Sequence, residues 1–150
     1  MPNTLQTFLA AATQKAADDL VATVESLPED RRGWSPSDKG RTALDQVAEC
    51  AILNGGTADI IASRTFPPGF DYQSFQRAKT ELAQDWNNLK ALLQANTTRV
   101  IAAIQSVPDD ALEIQIDMPW GKMSLAEILA YPYWNMSYHQ GQTYYIGSIA

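Results

Sequence analysis

The feature that most restricts this chain is the spacing of its apolar side chains. Over most of its 150 residues they recur at steps of three and four, one face of a helix, in runs too long for strands. In 4–27, Leu5, Phe8, Leu9, Ala12, Ala16, Leu20, Val24 and Leu27 draw one stripe. Ser26-Leu27-Pro28-Glu29-Asp30 ends it, because proline lacks an N–H and disfavours helix in the residue before it. A loop through Trp34, Ser35, Pro36 and Gly40 leads to Thr42, where Thr42-Ala43-Leu44-Asp45 reads as a shortened capping box. Ala43, Val47, Cys50, Ala51, Ala58 and Ile61 then predict a second helix to about Arg64. It runs on through Gly55-Gly56, with a kink allowed there, although each glycine costs about 1 kcal/mol relative to alanine.

After Phe66-Pro67-Pro68-Gly69-Phe70, the steps from Phe75 through Leu82, Trp86, Leu89, Leu93 and Val100 to Ile104 predict a third and longest helix from about Tyr72 to Ser106. Residues 112–118 alternate apolar and polar, which reads as an extended segment or half of a small hairpin turning at Pro119-Trp120-Gly121. Ser124-Leu125-Ala126-Glu127 is a full capping box and opens a fourth helix running nearly to Ala150. The fold class is therefore all-α: a four-helix bundle with long crossover connections and a short extended segment before the last helix, in a single domain over 1–150. Ser26-Leu27-Pro28-Glu29-Asp30 is echoed by Ser106-Val107-Pro108-Asp109-Asp110. Either the chain has two similar halves, or helix ends simply reuse proline and acids.

Composition then removes whole classes of function. Eleven Lys and Arg against seventeen Asp and Glu leave a formal charge of −6, which argues against nucleic acid or an anionic membrane as partner. No run approaches the ~18 apolar residues of a spanning helix, and the N-terminal stretch lacks a basic flank, so a soluble, cytoplasmic protein is expected. One cysteine, Cys50, permits no intrachain disulfide. One histidine, His139, excludes any site that needs two imidazoles.

At about 100° per residue, Leu125, Leu129, Met136, His139, Thr143 and Ile146 share one helix face, so His139 points inward. Asn135 lies one turn before it and Gln142 one turn after. Tyr131, Tyr133, Tyr138, Tyr144 and Tyr145 crowd the same segment with Trp134, to line a pocket, to form a dimer face, or as ordinary packing. Cys50 lies on the second helix's apolar stripe as a small buried group. Glu49 stands at the margin of that stripe, where a solvated charge is the plain expectation.

Trp134-Asn135-Met136-Ser137-Tyr138-His139-Gln140-Gly141-Gln142 resembles the last-helix motif of the DinB/YfiT-like superfamily. The Trp34 loop, the Thr42 cap and the helix with Glu49-Cys50 resemble that family's second helix. The resemblance implies a four-helix bundle, often a homodimer. It also implies a divalent metal such as zinc or nickel on three histidines, and in several members thiol-dependent transferase or isomerase activity. Carried over by position, one metal histidine falls on His139. The other two fall on Asn135 and Glu49, which depart from the pattern. Glu49, Asn135 and His139 are then the candidate ligands, with Tyr138, Gln142 and Cys50 supporting them or lining the pocket. Carboxylate, amide and imidazole favour a harder ion, so zinc, nickel, manganese or iron, or no ion at all, remain open.

Three readings follow. The first is a divalent-metal-dependent hydrolase or thiol transferase acting on a small-molecule or thiol substrate. The second is a non-catalytic homodimeric binding module that has lost the metal. The third is metal-free catalysis by Cys50 or by a Glu49–His139 pair.

Overall fold

A computed structural model describes residues 3–150 of the chain. Four long helices make the bundle: α1 (Thr4–Ser26), α3 (Ala43–Ser63), α5 (Trp86–Ser106) and α6 (Leu125–Ile149). Between them lie two shorter helices, α2 (Glu29–Arg32) and α4 (Tyr72–Leu82), and a hairpin of β1 (Gln115–Met118) and β2 (Gly121–Ser124). α3 packs on α5 and α6, and α1 packs on the same two, so α1 and α3 stand diagonally across the bundle.

The core divides into two clusters that set the helix directions. Leu20, Val24, Val47, Leu89, Leu93 and Met136 pack in one. Leu9, Ile61, Val100, Ile104, Leu125 and Leu129 pack in the other. The start of α3 thus lies with the start of α5 and with the ends of α1 and α6. Because α3 and α5 run parallel, the chain between them must return along the bundle, and α4 packs on both. This is the all-α bundle with long crossovers that the apolar spacing predicts.

Local signals act where they are expected. The Thr42 hydroxyl accepts from the Asp45 amide at 3.0 Å, and Ser124 and Glu127 form both halves of a capping box. The echoed proline segments behave alike: α1 and α5 stop at Ser26 and Ser106, the next residues, Leu27 and Val107, are buried, and a short helical turn follows each proline. β1 pairs antiparallel with β2, and Met118 and Gly121 flank the turn. Gly121 takes φ +130°, a conformation that favours glycine.

Two expectations need correction. The long third helix is two helices, because Ala83-Gln84-Asp85 interrupts it. The Asp85 carboxylate accepts from the amides of Asn87 and Asn88 at 2.9 and 3.3 Å and starts α5 anew. The break keeps Leu82 and Trp86 four apart, so apolar spacing alone cannot reveal it. On α1, Leu5 and Phe8 are exposed, Phe8 by 60%. Gln6 is buried in their place and donates to the Val107 carbonyl at 2.8 Å and to Asp109 at 3.0 Å.

The α3 helix continues through both glycines to Ser63. Gly55 has a packing reason: a Cβ there would stand 2.8 Å from Asn96 Nδ2, whose N–H donates to the Ala51 carbonyl at 2.8 Å. Gly56 has no such reason, because a Cβ there meets nothing within 4 Å.

Candidate functional site

The Thr42 cap fixes where α3 begins, and the helical period does the rest. Arg41 precedes the cap, and its guanidinium bonds Asp45 at 2.6 Å and Glu49 Oε1 at 3.1 Å, one and two turns on. Gln46 lies one turn before Glu49 on the flank that meets α6. Across the interface, His139 is only 4% exposed. Its Nε2 stands 2.6 Å from Glu49 Oε2. Its Nδ1 stands 2.9 Å from Gln46 Oε1 and 3.0 Å from Gln142 Oε1. The Tyr138 ring meets the imidazole edge-on at 5.5 Å.

Three acceptor oxygens surround the ring. In this arrangement both ring nitrogens donate, as an imidazolium does, and Glu49 supplies the opposing charge. Either glutamine can rotate its amide and present an N–H to an unprotonated Nδ1. The pocket therefore accommodates the ring with that proton or without it.

Electrostatics support the pair. Burial pushes the Glu49 carboxyl upward, but the His139 hydrogen bond, Arg41 and Lys79 outweigh it and hold Glu49 below its ordinary value. Lys79 of α4 is itself buried and reaches Asp45 at 3.3 Å. Burial and then the Glu49 charge push the Tyr131 phenol up to about 12. Burial pushes the Cys50 thiol well above its ordinary range, so it is not a ready nucleophile.

Of the sequence-derived candidates, Glu49, His139, Gln142 and Tyr138 meet around the imidazole. Asn135 and Cys50 lie elsewhere, in the bundle interior, where Asn135 Nδ2 donates to Cys50 Sγ at 3.7 Å. Nearby, Asn54 Nδ2 contacts Thr97 Oγ1 at 3.1 Å and Met136 Sδ at 3.4 Å. Sequence reasoning missed Arg41, Gln46 and Lys79. Arg41 and Gln46 carried a usable signal, the spacing 41–45–49 leading into α3 and 46–49 within it, whereas Lys79 is recruited by α4 and had none.

A crevice of about 580 Å³ opens against Gln46 and Gln142, the two Nδ1 partners, and is walled by Lys39, Arg41, Tyr138 and Tyr145 among others; His139 itself does not line it. Two cations and no acid line it, in a chain of net charge −6. A second cavity of about 180 Å³ is walled almost wholly by apolar side chains of α3, α6, the hairpin and residues 66–75, with Tyr131 in its lining.

The sequence matches the DinB family over residues 1–146. The chain belongs to the DinB family. Solved structures with the same fold include a mycothiol-dependent maleylpyruvate isomerase, 12% identical with TM-score 0.71 over 91% of this chain. A mutant of that isomerase gives TM-score 0.72 at the same identity. The chain spans only 59% of the isomerase's length. A DinB-like protein of Bacillus subtilis, YjoA, is 13% identical with TM-score 0.68, over 94% of this chain and 90% of that one. None of the curated protein sequences matches this one.

The donor set of this DinB chain does not fit the divalent ion that the family resemblance implies. Two ligands of one tetrahedral ion, each bonded at ~2.0–2.2 Å, stand about 3.3–3.6 Å apart. His139 Nε2 and Glu49 Oε2 stand at 2.6 Å, the separation of two atoms sharing a proton. Asn135 is turned toward Cys50. Arg41 holds the other Glu49 oxygen, and Arg41 and Lys79 occupy Asp45. Among the described residues, no group of three or more His, Cys, Asp and Glu side chains is placed to hold a metal ion.

Proposed function

We propose that this DinB protein is a metal-free acid–base enzyme for a small anionic molecule, with His139 as the proton carrier. The observation that carries the reading is the imidazole held between Glu49 on Nε2 and two amide oxygens on Nδ1. Glu49 orients the ring and balances its charge, as a carboxylate behind a catalytic histidine does. One Nδ1–H cannot fully serve two amides. Gln142, the exposed one, is the group that a substrate atom in the crevice displaces. Lys39 then attracts the anion, Arg41 being engaged by Asp45 and Glu49, and His139 gives a proton to it or takes one from it. The mycothiol-dependent isomerase of the same fold supports a low-molecular-weight thiol as co-substrate, in a transferase or isomerase reaction.

The test is a screen of thiol-dependent isomerisation, transfer and hydrolysis on small organic acids, with and without a chelator. Activity should fall at least a hundredfold in His139→Gln and persist in the chelator. Loss of activity in the chelator, with His139→Gln as active as the parent, would reject the reading.

A homodimeric binding module is the second reading. It rests on Trp134, Tyr144 and Tyr145 being exposed along α6. Sedimentation velocity tests it: a dimer that Trp134→Ala and Tyr144→Ala dissociate supports it, and a monomer removes it.

A further inference from the structure

The apolar cavity is not needed by the proton-transfer reading, yet the chain keeps it open. Its walls include Leu53 and Ile60 of α3, Ile128 of α6, Met118 of the hairpin, and Phe70 and Trp120 at the mouth. Gly56 lines it, and a Cβ on Gly56 would meet nothing within 4 Å. A glycine inside a helix costs about 1 kcal/mol against alanine, and here no neighbouring backbone or side chain demands one. What the missing side chain preserves is the cavity volume.

The mouth is built of rings held edge to face. Phe66 meets Phe70 at 5.7 Å and 61°, and Trp120 at 6.2 Å and 74°. Trp120 is 68% exposed, apolar surface that an occupant would cover. Met118 and Met123 give part of the wall an adaptable shape. A volume of about 180 Å³ is enough for one ring, since an apolar cavity of ~150 Å³ takes up benzene.

We propose that this cavity is a binding site for a small, uncharged aromatic molecule of one ring, with a single hydroxyl or similar polar group. Thr57 and Tyr131 are the polar side chains of the lining, and no charged side chain of the described residues lines it. An anion would enter without a counter-charge and near Glu49, whose charge already acts on Tyr131. The inference stands on the cavity and Gly56 and does not depend on the chemistry of His139.

Isothermal titration calorimetry with p-cresol, toluene and benzoate tests it. Both neutral probes should bind the wild-type chain saturably, one per chain, and benzoate at least tenfold more weakly. Gly56→Leu should weaken p-cresol at least tenfold, because its side chain fills the cavity. His139→Gln should bind p-cresol like the wild type, which separates this site from the acid–base reading. Trp120→Ala changes an exposed rim residue, leaves the core intact and should weaken p-cresol severalfold, so the site remains testable if Gly56→Leu does not fold. The proposal is overturned if neither neutral probe saturates, if benzoate binds as well as p-cresol, or if Gly56→Leu, or Trp120→Ala where that variant fails to fold, leaves affinity unchanged.

Discussion

His139 and Glu49 are ninety positions apart in the sequence and 2.6 Å apart in the fold. The contact ties the first half of α3 to the second half of α6 beside the core cluster that holds Val47 and Met136. Both partners are largely removed from water. Removing one takes from the other its shortest hydrogen bond, while Arg41 stays on Glu49 and the two glutamines stay on His139, so the effects of the two substitutions should not add. A double-mutant cycle of Glu49→Gln and His139→Gln, read by urea unfolding, should return a coupling of about 1.5–3 kcal/mol. Additive effects would mean that the two side chains do not depend on each other.

Glu49 also makes stability depend on acid. Its carboxyl titrates lower in the folded chain than in the unfolded one. In the window between those two values the unfolded chain binds more protons, so folding is favoured as pH rises. The contribution is complete above the unfolded value of about 4.5 and is lost as pH falls through the folded value. Urea midpoints measured between pH 3 and 7 should therefore fall toward acid less steeply in Glu49→Gln than in the wild type. Equal slopes would show that the environment of Glu49 does not favour its charged form.

Cys50 should be chemically silent. It is fully buried in the core, and burial pushes its thiol well above its ordinary range. The thiolate is the reactive form, so alkylation by iodoacetamide at pH 8 should proceed only as fast as the protein opens. Mass spectrometry of native protein should show an unmodified chain after the time that labels denatured protein fully. Rapid native labelling would return Cys50 to the list of candidate nucleophiles.

The same residues show how far the sequence could be read. The fold was legible because helix faces, caps and proline stops are local signals, and Thr42, Ser124 and Pro108 act in the structure as they do in the text. The break at Asp85 was hidden because Leu82 and Trp86 stand four apart, the step an unbroken helix would also show. At the site, His139 was legible from its place on a buried face. Its partners were harder to see, because pairing across α3 and α6 depends on how the helices rotate, and a margin residue such as Glu49 turns inward or outward by a few tens of degrees. Asn135 illustrates the other side of this: it lies one turn from His139 yet bonds Cys50. The apolar cavity left almost no linear trace, since its walls come from four separate segments and its clearest mark is a missing side chain.

The two adjacent glycines of α3 separate packing from vacancy. Both substitutions to alanine gain helix propensity, about 1 kcal/mol each. At Gly56 the new methyl meets nothing within 4 Å, so the gain should appear nearly whole as a rise in stability. At Gly55 the methyl would press on Asn96, whose amide bonds the Ala51 carbonyl and stands beside Arg99. Losing that hydrogen bond and straining the α3–α5 contact offsets the gain by about 1–2 kcal/mol. Thermal and urea unfolding should therefore rank Gly56→Ala above the wild type and Gly55→Ala at or below it. The reverse order would mean that the α3–α5 contact is looser than the Asn96 geometry implies, and that the open volume beside Gly56 is closed in solution.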